Sequence, residues 1–192
     1  MNKASIENEI EAKLQPETEL EGRIIADADF QAGLFWGTPR YGHPEGAIIN
    51  HIPEVLANVD KLNVSPEVRS KLRLITFVHD SFKHIEDKGT ARDWSKHHGV
   101  YARKFLEKYV KDELLLNITE MHDEAYYAWR LFALYNRPEK GLERLDYLLD
   151  KVGKERQLFY LFFKCDTQTG DKIQTPVRWF EQTVKEIEIV NF

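Results

Sequence analysis

Apolar residues in this chain recur at spacings of three and four, and single alternation is sparse, so the pattern calls for helices packed on helices. From residue 45 to about 59, Ile48, Ile52, Val55, Leu56 and Val59 make one such stripe. Ser65-Pro66 then supplies a capping hydroxyl and a proline at the first helical position. The helix it opens carries Val68, Leu72, Ile75, Val78 and Phe82 on one side. Further helices are predicted over 6–14, 93–110, 117–135, 139–151, 154–164 and 176–189. Asn117-Ile118-Thr119-Glu120 reads as a capping box with Asn117 as the cap, and Asn136-Arg137-Pro138 breaks the helix it starts. Thr175 is the predicted cap of the last helix. The glycines and proline between 33 and 40 read as a structured loop, and 166–174, with Gly170-Asp171, as a turn or small hairpin. The expected fold class is all-α, a single domain over residues 1–192.

The length of 192 residues suffices for one real core. No run approaches the roughly 18 consecutive apolar residues of a membrane span, so no membrane partner is expected. Polar and acidic residues follow the N-terminal Met1-Asn2-Lys3, without the apolar segment of a signal peptide. The one cysteine, Cys165, forms no internal disulfide and fits a reducing compartment, so a cytoplasmic location is expected. A net charge of −5 speaks against a long nucleic acid as partner. Small anionic substrates fit if a cation in the site neutralises them.

All seven histidines fall between residues 43 and 122, and the last 70 residues have none. Several of them lie on predicted helix faces and ends. His79-Asp80 follows the apolar run Leu72-Arg73-Leu74-Ile75-Thr76-Phe77-Val78. A polar pair at the inner end of a buried helix is costly unless something satisfies it, and a divalent cation would. His51 lies within the stripe of Ile48, Ile52 and Val55, which suits a third ligand. Asp123, one residue after His122, supplies a fourth from another helix. Imidazole and carboxylate ligands suit Mn, Fe, Co, Ni, Zn or Mg.

A histidine on one helix, a His-Asp dyad ending the next and a later aspartate is the skeleton of the HD superfamily of metal-dependent phosphohydrolases, which this chain resembles through His51, His79-Asp80 and Asp123. Gly42-His43-Pro44-Glu45-Gly46 and Asn50-His51-Ile52 are similar to the entry of the HD domains of bacterial tRNA nucleotidyltransferases. His79-Asp80-Ser81-Phe82-Lys83 follows the family's HDxxK form, with Phe82 where the HDxGK variant has glycine. His97-His98-Gly99-Val100-Tyr101-Ala102 resembles the helix that often adds a histidine; whether His97 or His98 matches stays open, and with it whether one ion binds or two.

The resemblance implies an HD-domain helical bundle with its core at about 40–130, an N-terminal arm, and additional C-terminal helices that shape substrate choice. It implies a phosphomonoesterase or phosphodiesterase acting on a small phosphorylated metabolite, a nucleotide by family habit, through metal-activated water. Asp80 would ligate the ion and orient the water, and Lys83, one turn on, would meet the phosphate. His97, His98 and His122 are the candidates for a second ion. Arg40 and His43, in the loop before the first ligand helix, are further candidates for phosphate contact. His84 reads as structural or exposed. Lys164 and Asp166 read as a helix terminus and its turn, with pocket lining as the alternative. Trp36, Trp94, Trp129 and Trp179 read as core or pocket wall, and Cys165 as a buried thiol. Two rival functions remain: a two-iron oxygenase of the same fold, and a non-catalytic metal-binding regulatory domain.

Overall fold

A computed structural model describes residues 3–191 and is all-helical, with one isolated bridge between Arg40 and His43 as the only β pairing among them. In chain order the helices are α1 (Lys3–Leu14), α2 (Glu19–Ile25), α3 (Ala28–Leu34), α4 (Ile48–Val59), α5 (Pro66–Val78), α6 (His98–Leu106), α7 (Glu113–Glu120), α8 (Glu124–Trp129), α9 (Pro138–Val152), α10 (Arg156–Thr167) and α11 (Thr175–Thr183). A π-helical turn, Arg130–Leu134, extends α8. No helix is long and apolar enough to cross a membrane among the described residues.

At the centre lie α4, α5 and α10, each packed on the other two, with α7 against α5. Ile52, Val55, Leu72, Ile75, Phe77, Phe159 and Phe162 are buried where they meet. Ser65 caps α5 as its sequence predicts, accepting from the Val68 N–H, and Pro66 follows at the first helical position. The N-terminal segment is part of this core: Ile10, Leu14, Ile24, Phe30 and Leu34 are fully buried. It is also tied down by charge, since Arg73 on α5 donates to both carboxylate oxygens of the buried Glu21 on α2, at 2.8 and 3.0 Å. Gly33 explains how closely α3 approaches the chain after α5, because a Cβ there would lie 1.6 Å from the Ser81 carbonyl oxygen.

The structure corrects several predicted boundaries. The helix predicted over 93–110 is α6 alone, preceded by a 3-10 turn at Trp94–Lys96. The helix predicted to open at Asn117 opens at Glu113, where the Asp112 carboxylate accepts from the Leu114 and Leu115 N–H groups. Asn117 sits inside α7 and spends its amide on the Lys151 carbonyl, 2.7 Å away. That helix ends at Glu120 and restarts at Glu124, so the expected continuous 117–135 helix is broken at His122-Asp123. The last helix stops at Thr183, and its cap position is Gln174 instead of Thr175. Trp129 is buried, and Trp36 and Trp179 pack on the core, but Trp94 is 44% exposed, held between the guanidinium groups of Arg92 and Arg144. Cys165 is fully buried, and burial pushes its thiol up to about 12.

A candidate metal centre

The site is built on one local device used twice. Thr76-Phe77-Val78-His79-Asp80 ends α5, and Thr119-Glu120-Met121-His122-Asp123 ends α7. In both, the threonine hydroxyl donates to the carbonyl four residues back, at 2.8 Å for Thr76 and 3.0 Å for Thr119. In both, the threonine carbonyl lies 2.9 Å from Nδ1 of the histidine three residues on. A carbonyl can only accept, so Nδ1 carries a proton, and in the neutral ring Nε2 is left with its lone pair.

Two more histidines have a carboxylate close to Nδ1, within ion-pair distance and without a formed hydrogen bond. His51 Nδ1 is 3.1 Å from Glu45 Oε1, and His98 Nδ1 is 3.3 Å from Glu86 Oε2. A carboxylate behind Nδ1 fixes the ring and its tautomer and makes Nε2 a better ligand. Four buried imidazoles therefore turn Nε2 toward one region: His51 from α4, His79 from the end of α5, His98 from the start of α6 and His122 from the end of α7.

Asp80 stands between them. Its Oδ2 is 3.9 Å from His51 Nε2 and 3.6 Å from His79 Nε2, whereas its Oδ1 is 3.3 Å from His98 Nε2 and 3.5 Å from His122 Nε2. Ligand atoms of His51, His79 and Asp80 all lie within 4.8 Å of one another, and so do those of Asp80, His98 and His122. The structure sets Asp123 on the second side, 3.4 Å from His98 and 3.7 Å from His122. The carboxylate beside His51 is Asp166, in the last turn of α10, at 2.9 Å from His51 Nε2 and 3.8 Å from His79 Nε2. Of the expected set, His51, His79 and Asp80 lie together with Asp166 beside them, whereas Asp123 lies beside His98 and His122. Of the two readings of Asp166, helix-end turn and pocket lining, the cavity it lines bears out the second. The missed signal is that it closes a buried apolar run, Leu158 to Cys165, as His79-Asp80 closes Leu72 to Val78.

Of the two adjacent histidines, His98 carries the ligand geometry. His97 caps α6, its Nδ1 accepting from the Gly99 N–H at 3.1 Å. A neutral His97 must then hold its proton on Nε2, the opposite tautomer, and burial, the largest influence on it, does keep it neutral by lowering its pKa. That Nε2 faces Asp123 at 3.5 Å and the Tyr127 hydroxyl at 3.3 Å, as a donor. Lys83 donates to Asp80 Oδ2 at 2.5 Å. His43 shares Glu45 with His51, 2.9 Å from Oε1. Arg40 stays outside: it is exposed, and its guanidinium reaches back to the Thr38 carbonyl at 3.4 Å. His84 is structural, its ring against the Ser81 carbonyl at 3.2 Å. Lys164 is buried and holds the C-terminal end, donating to Glu181 at 2.7 Å and to the Val190 carbonyl.

The electrostatics are those of a place that wants positive charge. Burial pushes the carboxyls of Asp80 and Asp166 up, yet Lys83 with His79, His122 and His98 at the one, and Lys172 with His51 and His79 at the other, together outweigh it and hold both well below the carboxylate range. Asp123 is likewise held low by His122, against the effect of burial. Burial keeps His79 neutral, down to about 3, while Asp123 and Asp80 overcome burial at His122 and draw it up to about 9. Two observations test whether a cation fits. His79 Nε2 and Asp80 Oδ1 are buried without a hydrogen-bond partner among the described residues, a state that costs about 1–3 kcal/mol per group. His98 Nε2 and His122 Nε2 are 3.1 Å apart. Two nitrogens each about 2.0–2.1 Å from a shared ion sit at about this separation. The buried His/Asp groups are compatible with a metal ion.

A cavity of about 240 Å³ opens beside these groups, lined on one side by Asp80, Asp123, Asp166, His43, Lys83 and Lys172. Tyr126, Phe163, Ile173 and Pro176 form its apolar wall. Fold and site thus define an all-helical chain with a buried histidine–aspartate centre at the base of a small cavity. Comparison with protein-family models, curated proteins and solved structures returns no match.

Proposed function

We propose that this protein is a metal-dependent phosphohydrolase of the HD type that acts on a small phosphorylated metabolite. The observation that carries the reading is Asp80, whose two oxygens face separate pairs of Nε2 atoms in a cavity that also presents two lysines. His51, His79, Asp80 and Asp166 would hold one divalent ion; Asp80, His98, His122 and Asp123 would hold a second. When bound, such an ion would supply Lewis acidity, lowering the pKa of a water from about 15.7 toward about 7 and drawing charge from a phosphoryl oxygen. Asp80, reaching both positions, orients the attacking water. Lys83 takes up charge on the phosphoryl oxygens. His43, tied through Nδ1 to Glu45, keeps Nε2 as the acceptor for the proton the water loses. A bond forms between the water oxygen and phosphorus, the bond to the leaving oxygen breaks, and that oxygen takes up a proton.

Two histidine pairs around one carboxylate also suit a two-iron oxygenase, and this is the second reading. One experiment separates them. Protein purified without chelator is assayed for metal by elemental analysis, then screened against phosphorylated metabolites with Mn, Co, Ni and Mg, and for oxygen uptake with ferrous iron. Phosphate release that disappears with bound metal in Asp80→Ala is the expected result. Iron-dependent oxygen uptake without phosphate release selects the second reading, and full activity without metal rejects both.

A further inference from the structure

Lys172 is given no chemical role in the reading above, yet it is placed as Lys83 is. Each lysine is partly buried, with side chains 14% exposed at Lys83 and 16% at Lys172. Each sits on a carboxylate of the centre: Lys83 on Asp80, and Lys172 on Asp166 Oδ1 at 2.8 Å. Both line the one cavity, with His43 between the segments they come from.

The loop that carries Lys172 is fixed in place. Asp171 Oδ1 accepts from the Gly42 N–H at 2.6 Å, and Gln174 donates to the Thr167 and Lys172 carbonyls at 2.8 and 2.9 Å. Gly170 packs on Pro44 so closely that a Cβ would lie 2.7 Å from the proline ring. An amine on an ordered loop, aimed at a carboxylate, does not sweep the solvent as a surface lysine does.

The charges decide what the pair is for. A divalent ion bound between Asp80 and Asp166 takes up the charge that now balances the two amines. With Asp123 taken up by a second ion, two ammonium groups on the cavity wall then lack a counter-charge, which is costly. An anion entering the cavity restores it, and it restores it for both only if it carries two charges. A phosphate monoester does so near neutral pH, since its second pKa is about 6, whereas a diester carries one.

We propose that Lys172 is the second arm of an anion clamp, opposite Lys83, and that the clamp selects a terminal, doubly charged phosphate over a phosphodiester. The inference rests on the phosphohydrolase reading and names its substrate class as monoesters with a compact organic group against Tyr126, Phe163 and Ile173.

The test uses the metal-loaded full chain and three probes: inorganic phosphate by calorimetry, and hydrolysis of p-nitrophenyl phosphate and of bis(p-nitrophenyl) phosphate. Lys172→Gln is expected to keep its metal content, bind inorganic phosphate roughly 10- to 100-fold more weakly, and raise KM for the monoester by a similar factor. The diester, poorer for the unaltered protein, should change little, and Lys172→Arg should restore phosphate binding at least in part. Unchanged phosphate affinity in Lys172→Gln would make Lys172 a mere counter-ion of Asp166 and overturn the clamp, leaving the phosphohydrolase reading in place. Loss of metal in Lys172→Gln, or a preference for the diester, also overturns it. If the unaltered, metal-loaded protein neither binds phosphate nor cleaves either ester, the parent reading fails and takes the clamp with it.

Discussion

At the scale of single residues, the site is a matter of which nitrogen holds a proton. His51, His79, His98 and His122 each have an acceptor behind Nδ1, and His97, next to His98 in the chain, has an N–H there instead. Adjacent and equally buried, the two cannot be told apart from their order in the sequence, because the difference lies in Glu86 and the Gly99 amide. Nor is Asp166 legible as a partner of His51 across 115 positions of chain. The dyad His79-Asp80 is legible, since an imidazole and a carboxylate closing a buried apolar run need a counter-charge. These assignments make a paired prediction. Asp166→Asn should weaken ion binding on the His51/His79 side by roughly 10-fold or more. His97→Asn keeps a capping side chain on α6 and should leave the metal content unchanged. Metal titrations of the two variants check this. Full affinity in Asp166→Asn, or loss of an ion in His97→Asn, would reverse the roles given to them.

Among elements, the decisive contact is α6 against α7, because it brings His98 to His122. Gly99 makes it possible: a Cβ there would lie 2.3 Å from the Glu120 carbonyl oxygen. Helix backbones come this close only where one of them lacks a side chain. Gly99→Ala must push the helices apart or tilt α6, and either motion separates the two Nε2 atoms. The expected outcome is loss of the ion on the His98/His122 side with the other retained, and a stability loss of about 1–3 kcal/mol from overpacking. Elemental analysis with thermal unfolding measures both, and two ions at unchanged stability would show that the contact does not set the second side. The same pair of helices shows where local pattern misleads. Asn117-Ile118-Thr119-Glu120 has the form of a capping box, but Asp112 caps the helix and Asn117 is engaged by Arg103 and Lys151. A cap motif states what an end could do, and packing decides where the end falls. By contrast α4 and α5, whose apolar stripes are long, form largely as predicted: α4 lacks its first turn, and α5, capped by Ser65, ends at Val78 before Phe82.

For the whole molecule, the centre is a cost that the core around it must bear. Three carboxylates and four imidazoles are drawn from the ends or faces of α4, α5, α6, α7 and α10, and the turn before α8. Each of those helices also buries apolar residues in a common core, so the ligand groups cannot separate without opening it. A cation that binds the folded chain and not the unfolded one therefore stabilises every helix that supplies a ligand, through mass action. At a free concentration about 100 times the dissociation constant, one ion adds about 2.7 kcal/mol. For a chain of this length each kcal/mol moves the midpoint by roughly 2–4 °C, so chelation should lower Tm by about 5–10 °C, and by more if two ions leave. Calorimetry before and after chelation, with metal then restored, reads this directly and requires no substrate. The drop should shrink in Asp80→Ala, which has less metal to lose. An unaltered protein with the same Tm in chelator as in excess metal would mean that lysines and protonated histidines alone balance the buried carboxylates, and that the centre holds no ion.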